Sequence, residues 1–449
     1  MNFMEEKFNR FDSSLAIVCD DREYCYKELL NKISEYKEQI NSSIKPNSVV
    51  AILGDYSFEN IALFFALYDK KNIIVPITSM VEAIKKEYMQ ESFCNYSVNC
   101  GQNGLEIENI NQRATNKMIE NLQESNSSGL VLFSSGSTAK PKAMIHNLDN
   151  LIQQYKEKRE KSINMLLFLM FDHIGGLNTM FNALSMGATL IIPKNRDAKT
   201  ICELIEKYRI MVLPSSPTFL NLILISGEYL NYNLSSLRMI TYGTEAMPES
   251  LLKKLKEIFP RVKFLQTFGT SETGISTTSS QASDSLYMKL DDPNCEYKIV
   301  DNELWLRSKT QVLGYLNASM DSFTEDGWFK TGDLVELIED NYIKIIGRGK
   351  EVINVGGQKV LPTEVESVIL NLEDVVDCMV YGEKNSITGQ SVVCDIVYKE
   401  KIEQRELKKL VRGYCKEKLE VYKIPTKVNL VERTNYSTRF KKIRRKDDL

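Results

Sequence analysis

The chain has 449 residues, more than one ordinary core fills, so two or three domains are expected. Its hydrophobic share of 43% and charged share of 26% are those of a soluble globular protein. A formal net charge of -3 gives no general attraction to nucleic acid or to an anionic membrane.

Side-chain counts narrow the chemistry further. Two histidines, His146 and His173, leave almost nothing for a histidine metal centre or relay. The nine cysteines are scattered, with no C-x-x-C pair. That argues against a disulfide framework or a structural zinc and fits a reducing cytoplasm. Residues Met1 to Arg10 are charged and lack an apolar segment, so no signal peptide is expected. No apolar run is long enough to insert into a bilayer.

In chain order, β-branched apolar runs alternate with amphipathic helical stretches. Residues 49–53 read as a strand, 58–68 as a helix and 72–77 as the next strand. Residues 102–128 are polar and weakly patterned, like a surface excursion. A short strand at 130–133 runs into a Ser/Gly loop. Strands follow at 188–192, 211–213 and 239–241, with helices between them. This alternation predicts α/β architecture with mainly parallel sheets. Near residue 285 the pattern changes to short antiparallel strands at 297–300, 303–307 and 342–346, a small barrel-like part. Gly347-Arg348-Gly349-Lys350 interrupts it. About a hundred residues of mixed strands and helices then remain, enough for a separate α+β domain. The expected division is 1–349 and 350–449.

The loop Ser134-Ser135-Gly136-Ser137-Thr138-Ala139-Lys140-Pro141-Lys142 is dense in hydroxyls. Backbone N–H groups of such a turn converge on an anion. Gly136 allows close approach, and Lys142 can neutralise phosphate charge. It is not a Walker A string, which needs G-x-x-x-x-G-K-[ST]. The same composition also makes ordinary solvated turns.

This loop resembles the phosphate-binding loop of the adenylate-forming superfamily, [ST]-S-G-[ST]-T-G-x-P-K-G, with Ala139 and Ala143 in place of glycine. That superfamily contains acyl-CoA synthetases, luciferase-like enzymes and adenylation domains of nonribosomal peptide synthetases. Other motifs follow in the family's order. Tyr242-Gly243-Thr244-Glu245-Ala246-Met247-Pro248 is similar to its G-G-E-A-L-P segment, with Thr244 for the second glycine. Phe268-Gly269-Thr270-Ser271-Glu272 is similar to [YF]-G-x-[ST]-E. Asp326-Gly327-Trp328-Phe329-Lys330-Thr331-Gly332-Asp333-Leu334 is similar to D-G-W-[FY]-x-T-G-D-L. Gly347 to Glu351 resembles G-R-x-[DK]-D, and Gly356 to Glu366 continues the family pattern. The family's ending, P-x-T-x-x-G-K-[IV]-x-R, aligned on Ile443 and Arg445, puts its lysine at Lys442 and Lys441 in place of its glycine.

The resemblance implies an ATP-dependent enzyme that joins a small carboxylic acid to AMP, releases pyrophosphate and then passes the acyl group to a thiol. The thiol is that of CoA or of the phosphopantetheine on a separate carrier protein. It implies that Ser134, Ser135, Gly136, Ser137, Thr138 and Lys142 hold phosphates. Gly243, Thr244, Glu245, Phe268 and Gly269 would form the adenine site, with the Phe268 ring on the base. Ser271 would meet the α-phosphate, Glu272 would bind Mg²⁺, Asp333 the ribose hydroxyls, and Arg348 the ribose or phosphate. Lys350 would be the hinge of a mobile small domain, and Lys442 the catalytic lysine. Phe171-Asp172-His173-Ile174-Gly175-Gly176 resembles the F-H-x-x-G segment of acyl-CoA synthetases, which puts His173 beside the substrate carboxylate. Its Phe171-Asp172 pair also resembles the F-D of amino-acid adenylation domains, so an amino acid stays an alternative. A nucleotide-binding relative without catalysis is a second one, suggested by Ala139, Ala143 and Lys441.

Overall fold

A computed structural model of the chain describes residues 2–101, 104–110, 115–134 and 140–444. Two seven-stranded sheets build most of the first 316 residues. One runs in the order Lys263–Gln266, Met239–Tyr242, Val212–Ser215, Asn164–Leu166, Thr189–Ile192, Leu15–Cys19, Arg22–Cys25. All its neighbours are parallel except the terminal hairpin of the last two strands. The other has a parallel centre, Gly129–Ser134, Ile73–Ile77, Val49–Leu53 and Tyr96–Gly101, with antiparallel strands added at each edge. Parallel strands need crossover connections, and the helices supply them. Phe58–Asp69 is deeply placed: ten of its residues, Phe58 and Asn60 through Tyr68, are buried, because it packs against apolar groups on more than one side.

A six-stranded antiparallel sheet follows, from Thr278–Ser280 to Tyr342–Arg348, open at both ends as a half-barrel. Its core is a small separate cluster that includes Met288, Leu304, Leu306, Val335 and Ile343. The last part is a five-stranded sheet over residues 353–430 with the helices Pro362–Ile369 and Gln404–Lys416. Its own core contains Val365, Ile369, Val380, Ile396, Leu407 and Val411. The architecture is thus the expected mixed α/β fold: a large part of mainly parallel sheets, a half-barrel and a separate C-terminal domain.

The segment expected as a surface excursion is ordered where it is described. Gly104–Asn109 pairs antiparallel with Tyr96–Gly101, and Lys117–Glu124 is a helix. Both are edge elements. One strand face and one helix turn, Ile119 and Leu122, are all that the core demands of them, so their sequence reads as polar. Among the described residues, no helix is long and apolar enough to cross a membrane.

Candidate active site

The carboxyl ends of the parallel strands, the half-barrel and the C-terminal segment enclose a cavity of about 420 Å³. That is the size of a small-molecule site. Six basic side chains, Lys142, Lys330, Arg348, Lys350, Arg439 and Lys441, line it against two acidic ones, Glu272 and Glu303. Such a charge balance suits a polyphosphate.

Strand geometry delivers each group. Ser134 and Lys142 are register partners where Gly129–Ser134 and Lys142–Asn147 pair, and both line the cavity. Ser135, Gly136, Ser137 and Thr138 lie outside the described residues. The Lys142 ammonium stands 4.8 Å from the centroid of the Tyr315 ring. The Tyr315 hydroxyl donates to Glu272 Oε1 at 3.1 Å. Tyr315 therefore ties the loop lysine to the carboxylate; its Gly-Tyr strand gave no signal in the sequence. Gly269 is required where the strand turns toward Ser271 and Glu272, because a Cβ there would lie 2.5 Å from Gly274 O.

On the opposite wall His173 caps the helix Ile174–Met186, and its Nδ1 accepts the Gly175 N–H at 3.0 Å. Burial, aided by the charges of Lys441 and Arg439, pushes its pKa well below the usual value. The ring is neutral, and with Nδ1 accepting, its proton sits on Nε2. Gly176 follows because a Cβ there would meet Met170 O at 2.3 Å. Gly243 and Thr244 also line the cavity. Thr244 has φ 73°, and its Oγ1 is buried without a partner among the described residues.

Arg348 and Asp333 are register partners in the half-barrel, with Arg348 Nε 2.9 Å from Asp333 Oδ1. Burial raises the Asp333 pKa, and Arg348 opposes that shift. Asp333 thus stands behind Arg348 and keeps its guanidinium in place. Lys350, one residue beyond Gly349, is also on the wall.

Three of the expected site residues stand outside the cavity lining. The Phe268 ring does not line the cavity; it belongs to the half-barrel core with Met288, Leu290 and Leu304. The carboxylate of Glu245 is already engaged. Its Oε1 accepts from Thr218 N–H at 2.7 Å, in the first turn of the helix Pro217–Ser226, and its Oε2 from Lys442 N–H at 3.2 Å. A carboxylate at a helix N-terminus is favoured there by the exposed N–H groups. Lys442 points away from the cavity. Its Nζ donates to Cys378 O and lies 3.2 Å from Asp377 and 3.9 Å from Glu366, inside the C-terminal domain. Burial opposes its charge, but Asp377 and Glu366 outweigh that and raise the pKa.

Lys441 is the lysine on the cavity wall, beside Arg348 and Arg439. Burial, then the two guanidinium groups, lower its pKa to about 8, and Glu245 and Asp333 partly offset them. The preceding residue, Phe440, has φ 52°. That left-handed conformation favours glycine, the residue that precedes the lysine in the family's ending. Moving the alignment by one residue therefore brings Phe440 to the glycine and Lys441 to the lysine. A second opening, between the helix Pro217–Ser226 and the C-terminal domain, holds about 30 Å³, room for one water.

A mainly parallel α/β body, a half-barrel and a C-terminal domain around a cationic cavity define a nucleotide-type site. The profile of the AMP-binding enzyme family matches residues 4–316, and that of the AMP-binding enzyme C-terminal domain matches residues 364–441. The chain belongs to the AMP-binding enzyme family. It is 29% identical over 344 residues to acyl-CoA synthetase 7 of Caenorhabditis elegans, covering 69% of this chain and 64% of that one. It is 30% identical over 294 residues to an indoleacetate–CoA ligase of Aromatoleum aromaticum, covering 60% and 57%. The chain thus spans less than two-thirds of the length of these curated relatives. Its fold is that of the anthranilate CoA ligase AuaEII solved with anthranoyl-AMP, with a TM-score of 0.81 at 19% identity over 98% of this chain and 95% of that one.

Proposed function

We propose that this chain activates a small carboxylic acid with ATP as an acyl-adenylate, releases pyrophosphate and then transfers the acyl group to a thiol. The observation that carries the reading is the set of six basic side chains lining a cavity that also holds a neutral histidine and Glu272. In the first step a carboxylate oxygen attacks the α-phosphorus and the bond to the pyrophosphate oxygen breaks. Negative charge gathers at one phosphorus, and fixed cations lower that barrier. Lys441 is the side chain best placed to supply the central cation, in place of Lys442. Lys142 and Arg348 hold the outer phosphates and the ribose side. His173, carrying its proton on Nε2, donates to the substrate carboxylate and adds no charge that would trap it.

Glu272 fits Mg²⁺: Tyr315 engages one of its carboxylate oxygens, and the carboxylate would be the protein group that holds the ion. One protein carboxylate plus phosphates and water is an ordinary Mg²⁺ set. Bound there, the ion would neutralise charge on the phosphates. Ser271, which also lines the cavity, would meet the α-phosphate, and the Thr244 hydroxyl, unpaired among the described residues, suits a polar ligand.

Residues 1–349 would hold ATP and acid. Residues 350–449, turning about Lys350, would carry the lysine in and then admit the thiol of CoA or of a carrier protein, in the cytoplasm. An amino-acid substrate stays the alternative: Arg439 bonds Asp172 Oδ2 at 3.0 Å, and Asp172 Oδ1 has no partner among the described residues. ATP–pyrophosphate exchange with a panel of carboxylic and amino acids tests the reading, followed by thioester formation with CoA. Exchange with at least one acid is expected. Tight ATP binding with no exchange would instead leave a nucleotide-binding relative without catalysis.

A further inference from the structure

Phe440 closes the turn of the C-terminal hairpin. Its N–H donates to Ser437 O at 2.9 Å, and Ser437 N–H donates to Lys441 O at 2.9 Å. This is the pattern of a tight turn followed by a bulge, in which two residues, Phe440 and Lys441, face one on the other arm. The residue at that bulge takes left-handed angles, and glycine does so without resistance. Phe440, at φ 52°, does so against its own Cβ.

The ring offsets this cost through contacts beyond the hairpin. It stands edge-on to Phe219 at 4.9 Å and tilted to Phe168 at 5.4 Å. Both partners are buried in the core around the strand Val212–Ser215. The Phe440 carbonyl accepts the Ser216 hydroxyl at 2.8 Å. On the preceding residue, Arg439 Nη2 donates to Asp172 Oδ2 at 3.0 Å. A ring contact, a backbone acceptor and an ion pair therefore all grip the large domain within the two residues before Lys441. A ring that merely filled the core would explain the first of these. It would not explain why a bulge that needs glycine holds phenylalanine directly before the lysine on the cavity wall.

We propose that Phe440 is a positioning residue: its ring, seated against Phe168 and Phe219 and assisted by the Arg439–Asp172 pair, holds the hairpin on the large domain so that the Lys441 ammonium stays in the cavity. The proposal rests on Lys441 being the cation of adenylation. It adds that the placement depends on side-chain docking and not on the freedom of a glycine. Any movement of the C-terminal domain toward the thiol step must first withdraw the ring, so the same contact sets the balance of the two half-reactions.

The test compares the wild type with Phe440→Tyr, Phe440→Ala, Phe440→Gly and Asp172→Asn. Exchange kinetics give kcat and KM separately. Independently of turnover, Lys441 is titrated by pH-dependent acylation with an amine reagent, read by mass spectrometry of its peptide. Phe440→Ala and Phe440→Gly are expected to lower exchange kcat on the order of 10²-fold, as misplacement of a reacting group does, with a much smaller change in KM for ATP. In both, Lys441 should titrate above the wild-type value of about 8. Asp172→Asn should act in the same direction and less, and Phe440→Tyr, which keeps the ring, should restore both readouts. Phe440→Gly with wild-type exchange and an unmoved Lys441 titration would overturn the proposal. If the wild type exchanges with no acid, the adenylation reading fails by itself. The acylation titration then still decides whether Phe440 places the ammonium, an unmoved titration overturning it.

Discussion

Two turns meet at the rim of the cavity, one spanning Tyr242 to Glu245 and the other Ser437 to Lys442. They are joined directly, Lys442 N–H donating to Glu245 Oε2 at 3.2 Å. Each holds a non-glycine residue at left-handed angles, Thr244 at φ 73° and Phe440 at φ 52°. Each residue also stands where the family's pattern has glycine, once the ending is moved by one position. What differs is the compensation. Phe440 docks its ring on two core aromatics, whereas the buried Thr244 hydroxyl has no partner among the described residues. The comparison teaches that backbone strain at a site can be held by the protein's own contacts or left for a ligand to relieve.

The sharpest way to break that comparison is to exchange the two lysines of the second turn. Lys441→Ala removes the cavity ammonium and is expected to lower adenylation by on the order of 10²–10³-fold, as loss of one preorganised donor does. Lys442→Ala instead leaves Asp377 buried without its cation, while Glu366 keeps Arg444 at 2.9 Å. It should cost about 3–5 kcal/mol of stability, measured by denaturant unfolding, while exchange per folded molecule stays within about tenfold of wild type. The opposite outcome, activity lost with Lys442 and kept without Lys441, would return the lysine to the register suggested by Ile443 and Arg445.

A smaller effect follows from the Lys441 environment. Burial and the neighbouring Arg348 and Arg439 hold its pKa near 8. The ammonium is therefore present below that pH and lost as pH rises through it. The kcat/KM for ATP, which reports the free enzyme, should fall about tenfold per pH unit above 8. Bound phosphates favour the charged lysine, so the same limb in kcat should lie at higher pH. Lys441→Arg should flatten both limbs, because a guanidinium stays charged throughout. A falling limb that survives this substitution would assign it to another group.

The two turns also mark how far the sequence was legible. The strand at 49–53 was readable to the residue, because four of its five side chains are fully buried and the run is uniformly apolar. The motifs put Glu272 and Arg348 on the cavity wall and Asp333 behind Arg348, because turns rich in Gly and Asp fix their own geometry. The hairpin at the end did not allow it. Side chains of paired strands alternate between faces, so a slip of one residue exchanges inside for outside. Two adjacent lysines without a glycine gave the slip nothing to resist it, and Ile443 was a weak anchor. Phe268 shows a related limit: an aromatic beside a glycine suits a nucleobase and a barrel core equally well, and only the sheet around it seats the ring with Met288 and Leu304. Tyr315, Arg439 and Phe440 act through partners far along the chain, and no local pattern announces such contacts.

The smallest expected effect tests the first turn, where the Thr244 hydroxyl has no partner among the described residues. A β-branched residue at left-handed angles costs roughly 1–3 kcal/mol. Glycine would remove that strain but lose roughly 0.5–1 kcal/mol to its greater freedom in the unfolded chain. Thr244→Gly should therefore stabilise the protein by about 1 kcal/mol in denaturant unfolding. If the unpaired hydroxyl exists to meet a ligand, the same change removes a hydrogen bond worth about 0.5–1.5 kcal/mol. KM for ATP or for the acid then rises by up to about tenfold, and whichever of the two responds identifies the ligand that Thr244 touches. A more stable variant with both KM values unchanged would make the hydroxyl a passenger. A less stable one would mean that the Thr244 turn is held by contacts as strong as those around Phe440, and the contrast between the two turns would fall.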